Sequence, residues 1–160
     1  MEVLQLGQIL ALLGAALAVI LSGIGSSRGV GLAGETAAGV ATENPEVAGK
    51  LLVLQLLPAT QGIYGFLIGV IVLINTGVLG GQMVDITVTQ GLKFIVSCLP
   101  VGVVGWYSAI QQAKVSAAGM LMTGQRPEMS GRGITMAVMV ETYAVFSLLT
   151  SFLMVNSVLG

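Results

Sequence analysis

Met136-Ala137-Val138-Met139-Val140-Glu141-Thr142-Tyr143-Ala144-Val145-Phe146 sets one carboxylate inside an apolar run. No charge occurs from Gly133 to Val140, and none from Thr142 to Gly160. A run this long and this apolar reads as a transmembrane helix. Glu141 is then placed deep in hydrocarbon, where insertion scales make an acid unfavourable by roughly 2.5–3.5 kcal/mol. A carboxylate kept at that cost points to function. The plainer reading is an acid satisfied by hydrogen bonds inside a helix bundle, and the residues below argue against it.

Composition agrees with a membrane chain. Of 160 residues, 55% are hydrophobic and 8% charged, with a mean hydropathy of +0.97. Soluble domains carry about 25% charged residues, so this chain cannot cover a water-facing surface. The net charge of −1 gives no footing for nucleic acid, and there is no histidine. The single cysteine, Cys98, excludes an internal disulfide and a cysteine-rich metal site. The start, Met1-Glu2-Val3-Leu4, lacks the basic segment of a secretory signal, so the first apolar run is expected to be retained.

Four apolar runs alternate with three polar breaks. The first goes from Val3 to Ser27, meets Arg28, and continues in helical character through Gly29–Ala41. Thr42-Glu43-Asn44-Pro45-Glu46, then Lys50, breaks it. The second run is Leu51–Leu79, with Pro58, Thr60 and Gln61 inside, and ends at Gly80–Asp85. The third runs from about Leu92 to Met122 and contains Pro100, Gln111, Gln112 and Lys114. Thr123–Glu128 and Arg132 precede the fourth. Each is as long as the roughly 20 residues a bilayer requires. The expectation is an all-α membrane protein of four transmembrane helices, arranged as two hairpins, 1–80 and 81–160.

The hairpins read as a tandem duplication. Thr42–Lys50 resembles Gly124–Arg132 around a shared Pro-Glu, Gly23–Arg28 resembles Ala109–Lys114, and Gln61 aligns with Glu141. The register shifts slightly between blocks, as small insertions produce. Duplication of this kind makes helices 1 and 3 parallel, and the acid position survives as an acid only in the second copy. Lys50, Arg126 and Arg132 lie in the first and third breaks, with Arg28 and Lys114 towards the same side. The opposite side offers Lys93. The positive-inside rule therefore puts both hairpin loops in the cytoplasm and both termini outside.

The second run carries Leu57-Pro58-Ala59-Thr60-Gln61-Gly62-Ile63-Tyr64. Leu57, Thr60, Gln61 and Tyr64 fall at i, i+3, i+4 and i+7, one helix face. Pro58 donates no backbone hydrogen bond and is expected to leave a carbonyl open to a ligand. Gln61 and Glu141 each lie about ten residues, or roughly 15 Å, past their breaks, and Gln112 about as far before the third. Three polar residues on three helices thus share one depth. A hard monovalent cation needs oxygens, and Glu141, Gln61, Gln112, Thr60 and the Leu57 carbonyl supply them; a proton needs fewer. Tyr64 can donate its hydroxyl to the carboxylate. The alternative for Thr60 and Gln61 is interhelical hydrogen bonding without an ion. Lys114 and Arg28 fit this picture less well and are expected to reach headgroups or solvent by snorkelling.

Gly29-Val30-Gly31-Leu32-Ala33-Gly34 matches G-x-G-x-x-G, but a dinucleotide site needs that motif between a strand and a helix. Here it lies in a helical run, so no nucleotide site is read. Gly23, Gly25, Gly29 and Gly31 instead form a small-residue face suited to close helix packing.

The stretches Leu57-Pro58-Ala59-Thr60-Gln61-Gly62-Ile63-Tyr64-Gly65, Ile110-Gln111-Gln112-Ala113-Lys114-Val115 and Val140-Glu141-Thr142-Tyr143-Ala144 resemble the proteolipid (K or c) subunit of V-type ATPases. The resemblance spans nearly the whole chain and is nearest the sodium-translocating bacterial form. It implies a homo-oligomeric rotor ring in the cell membrane, turned by a soluble ATPase head. It implies Glu141 as the ion-carrying carboxylate and Na+, in preference to H+, as the ion. It implies Leu57, Thr60, Gln61 and Gln112 as further Na+ ligands, and Tyr64 as support for the carboxylate. Gln111 is an extra amide beside Gln112. A membrane stator subunit and central-stalk subunits are the implied partners, the stalk docking at Glu43–Lys50 and Arg126–Arg132. The rivals are a self-contained four-helix transporter or channel and a purely structural membrane protein.

Overall fold

The computed structural model describes residues 5–160; Met1–Leu4, on which the reading of the chain start rests, lie outside the described residues. Helix α1 spans Leu6–Glu43, α2 Ala48–Leu56, α3 Thr60–Asn75, α4 Val88–Gln125 and α5 Ser130–Asn156. Single 3-10 turns at Pro45–Val47, Leu57–Ala59 and Pro127–Met129 join or interrupt them. Among the described residues four stretches are long and apolar enough to cross a membrane: Leu6–Glu43, Pro45–Asn75, Val88–Gln125 and Pro127–Asn156. The chain is a multi-pass membrane protein of the expected all-α class.

The helices outrun the apolar segments that signalled them. At 38 residues each, α1 and α4 are about 57 Å long, against a hydrocarbon core of about 30 Å. The excess includes the helical turns around Glu35, an exposed acid of α1. The two hairpins share their local geometry. Gln5 (φ −71°, ψ 151°) and Thr87 (φ −67°, ψ 157°) precede α1 and α4; Asn44 (φ −137°, ψ 82°) and Arg126 (φ −139°, ψ 88°) follow them. Each pair stands 82 positions apart. Both loops then turn on a Pro-Glu in a 3-10 turn, where proline's fixed φ suits the first position.

Helices α1 and α4 lie side by side and parallel. Gly7 abuts Ile86–Thr87, Gly25 abuts Trp106, and Gly29 abuts Ala109. At Gly14 a Cβ would come within 3.0 Å of the Ile95 backbone, so a side chain there would force the helices apart. The glycine series splits, however: Gly25 and Gly29 face α4, while a Cβ added at Gly23 or Gly31 would meet nothing within 4 Å. The same register corrects one expectation. Because Gly29 is level with Ala109, Arg28 stands level with Ser108–Ala109 and not with Lys114. Lys114 lies more than a helical turn nearer the hairpin loops.

Two apolar cores stack along the bundle. One, towards the Thr76–Thr87 loop, gathers Ala11, Ala15, Ala18, Ile68, Val72, Phe94, Cys98, Val101 and Val155. The other, towards the hairpin loops, gathers Ala33, Ala37, Val47, Leu51, Leu54, Met120 and Ala137. Between them lies a layer of buried polar side chains: Ser22, Ser26, Gln61, Ser108 and Gln112.

Candidate functional site

The 3-10 turn at Leu57–Ala59 enters the polar layer from the second span. Pro58 has no N–H to give the Leu54 carbonyl, four residues back, and the helix tightens there into a 3-10 turn. The Leu57 carbonyl is not left open, contrary to expectation. It accepts the backbone N–H of Thr60 and also the Thr60 hydroxyl at 3.0 Å. The two oxygens are thereby held side by side. Helix α3 starts at Thr60, and Ser26 of α1 accepts the N–H of Gly62 at 2.7 Å, fixing the restart against the first helix.

Gln61, fully buried, donates through Nε2 to Oε1 of the equally buried Gln112 at 2.6 Å. Gln112 donates in turn to the Ala137 carbonyl at 3.1 Å and to Glu141 Oε2 at 3.3 Å. Tyr64 donates its hydroxyl to Glu141 Oε1 at 2.6 Å. One chain of bonds therefore runs Gln61–Gln112–Glu141–Tyr64 across three spans. Thr60 and Leu57 bond to each other and adjoin this chain through the backbone of α3. Gln112, not Gln111, turns inward; Gln111 is only half-buried.

The layer holds one buried polar oxygen that nothing meets. Gln61 Oε1 is buried and has no hydrogen-bond partner, which costs about 1–3 kcal/mol if nothing meets it. Among the described residues Glu141 has a phenol and an amide for hydrogen-bond partners, neither of which carries charge. Gln61 Oε1, Thr60 Oγ1, the Leu57 carbonyl and the Glu141 carboxylate are the oxygens that could serve a cation here, with Gln112 alongside. On its other side Glu141 borders an apolar groove of about 190 Å³ lined by Val138, Thr142, Val145 and Phe146. The carboxylate thus stands between a polar interior and an apolar exterior.

The sequence reading missed the serines of this layer. Ser22, Ser26 and Ser108 are buried, and Ser22 returns its hydroxyl to the Ala18 carbonyl at 2.7 Å. Their signal was present as small polar residues on the glycine-bearing helices. Arg28 and Lys114 are both exposed and take no place in the network.

The sequence matches the ATP synthase C-subunit profile twice, over residues 13–72 and 95–154. It is 47% identical over 149 residues to the V-type sodium ATPase subunit K of Enterococcus hirae, covering 93% of this chain and 92% of that one. It is 35% identical over 150 residues to the A-type ATP synthase subunit K of Methanocaldococcus jannaschii, covering 94% of this chain and 63% of the relative.

Proposed function

Because this chain belongs to the ATP synthase C-subunit family, as a non-catalytic ion-translocating proteolipid of the V-type ATPase kind, we propose that its ion is Na+. We assign Glu141 as the carrying carboxylate, Leu57, Thr60, Gln61 and Gln112 as the remaining ligands, and Tyr64 as the group that orients the acid. The observation that carries this reading is the buried, unpartnered oxygen of Gln61 at the end of the hydrogen-bond chain to Glu141. A proton neutralises Glu141 but leaves that oxygen unmet; a cation meets both. The name of the Enterococcus hirae relative, a sodium ATPase subunit, supports the same choice.

The mechanism follows from charge. With Na+ bound, Glu141 is neutralised, and the loaded site can face lipid as a ring of copies turns. Emptied, it must meet a polar path and a cationic group, which a membrane stator subunit would supply. The 1–80 and 81–160 hairpins act as two repeats, with the ion site completed by the second. The loops at Glu43–Lys50 and Arg126–Arg132 face the cytoplasm and dock a central stalk, with both termini outside the cell membrane.

A hydrophobic carbodiimide, which reacts with the protonated carboxyl, tests the ion. Na+ should slow labelling of Glu141, increasingly so as pH rises and proton competition weakens. Thr60→Val and Gln61→Leu should each weaken the protection. Labelling indifferent to Na+ at every accessible pH, with transport following the proton gradient, would make the ion H+ and the oxygen cluster a hydrogen-bond network.

A further inference from the structure

Ser26 stands outside the ion site and yet holds it. The bonds linking Gln61, Gln112, Glu141 and Tyr64 use α3, α4 and α5; Ser26 belongs to α1 and is buried. Other serines near it turn their hydroxyls back on their own helices: Ser22 donates to the Ala18 carbonyl, Ser27 to that of Ile24 and Ser108 to that of Gly105. Ser26 reaches across instead, and its oxygen accepts the N–H of Gly62 at 2.7 Å. Gly62 is the third residue of α3, in the turn where N–H groups lack a carbonyl of their own helix. Ala59, which precedes that turn, makes no side-chain cap. Ser26 therefore gives α3, from a neighbouring helix, the oxygen that a capping serine gives from its own. The approach is close. A Cβ on Gly62 would lie 3.1 Å from Ser26 Cβ, so α1 comes this near because residue 62 is glycine.

The second repeat lacks this contact. Ser108 holds the place of Ser26, 82 residues on, but α5 runs unbroken from Ser130 to Asn156 and offers no first turn to cap at that level. The contact thus goes with the break at Pro58, and that break carries Leu57, Thr60 and Gln61. Gln61 and Gly62 share one planar peptide. Fixing the Gly62 N–H fixes the backbone from which the Gln61 side chain and the Thr60 hydroxyl project.

We propose that Ser26 is a positioning residue that sets the preference of the site for Na+ over H+. This assignment rests on the sodium reading above and extends it to a residue that touches no ion. A cation needs several oxygens at once. Three of them, the Leu57 carbonyl, Thr60 Oγ1 and Gln61 Oε1, are carried by the turn that Ser26 holds. A proton needs Glu141 alone, which Tyr64 and Gln112 bond directly. Without Ser26 the turn loosens and its oxygens spread. An unmet N–H then presents the positive end of α3 to the cation, so Na+ binding weakens while H+ binding stays.

Carbodiimide labelling of Glu141, counted by mass spectrometry on the full chain in its membrane, tests this with two readouts. One is the pH profile of labelling without Na+; the other is the Na+ concentration that halves labelling at fixed pH. Ser26→Ala should leave the first unchanged and raise the second by about 3- to 10-fold, the worth of one neutral hydrogen bond. Ser26→Cys fills the same space with a weak acceptor and should behave like Ser26→Ala. Ser27→Ala removes an exposed hydroxyl that meets only its own helix and should change neither readout. A halving concentration unchanged in both Ser26 variants would overturn the assignment and leave the sodium reading standing. So would Ser26→Cys matching the unaltered chain, which makes the role one of packing, or both readouts shifting together, which makes it one of general support. Labelling of the unaltered chain that ignores Na+ would overturn the sodium reading and this assignment with it.

Discussion

Glu141 is held by two hydrogen bonds of different kinds. The Tyr64 hydroxyl approaches at 2.6 Å, and hydrogen bonds to charged groups contribute about 1.5–3 kcal/mol. Tyr64→Phe should therefore weaken Na+ protection of Glu141 by roughly 10- to 100-fold, read as a rightward shift in the Na+ concentration that slows carbodiimide labelling. The fold should be kept, because Tyr64 is only half-buried. Glu141→Gln removes the alternation of charge while leaving a neutral amide that is easier to bury. The ring should assemble, seen by native mass spectrometry, and ion-coupled ATP hydrolysis in the complete complex should stop. At this scale much was legible beforehand: i, i+3, i+4, i+7 spacing put Thr60, Gln61 and Tyr64 on one face, and counting from the breaks put Gln112 and Glu141 beside them. The state of the Leu57 carbonyl was not legible. It depends on the Thr60 hydroxyl folding back onto it, a local rotamer choice that spacing does not encode.

The elements divide into those set by apolar runs and those set by glycine. Helix α1 packs on α4 through glycines whose replacement would drive a methyl into backbone. Gly25→Ala should destabilise the chain by about 1–3 kcal/mol or more, the range for overpacking, because the obstacle is the Trp106 backbone and not a movable side chain. Gly23→Ala, with nothing within 4 Å, should be neutral or stabilising by up to about 1 kcal/mol, the helix-propensity gain. Thermal unfolding in detergent separates the two. The sequence showed the glycine face but not its split, since period alone does not say which neighbour each glycine meets. The ends of α1 and α4 were legible: helical character was expected through Ala41 and the third run to Met122, and the helices end at Glu43 and Gln125. The level of Arg28 and Lys114 was misjudged. A short matching block suggested a register one turn away from that set by the helix ends.

For the whole molecule, the separation of two apolar cores by one polar layer is the governing feature. Each core draws on both hairpins, with Tyr64 packed on one and Leu57 on the other. The layer is where α1, α3, α4 and α5 are tied by polar contacts, from Ser26 to Gly62 and from Gln61 to Glu141. Sidedness belongs to this scale as well. Cysteines placed at Glu46 and at Gly81 should react with an impermeant thiol reagent from opposite faces, Glu46→Cys from the cytoplasm and Gly81→Cys from outside. Labelling of both from one face would exclude the assigned topology.

The duplicated hairpin has a mechanical consequence. Each four-helix chain carries one acid in its polar layer; at the 82-residue spacing of the repeats the counterpart of Glu141 is Ala59 and not, as the sequence suggested, Gln61. A ring built this way moves about half as many ions per revolution as one of equal girth made from single hairpins, each with its own acid. The work released by one ATP is then divided among fewer ions, and each can be pushed against a steeper gradient. One carboxylate for two hairpins thus sets the rotor in low gear: fewer ions delivered, each with more force behind it.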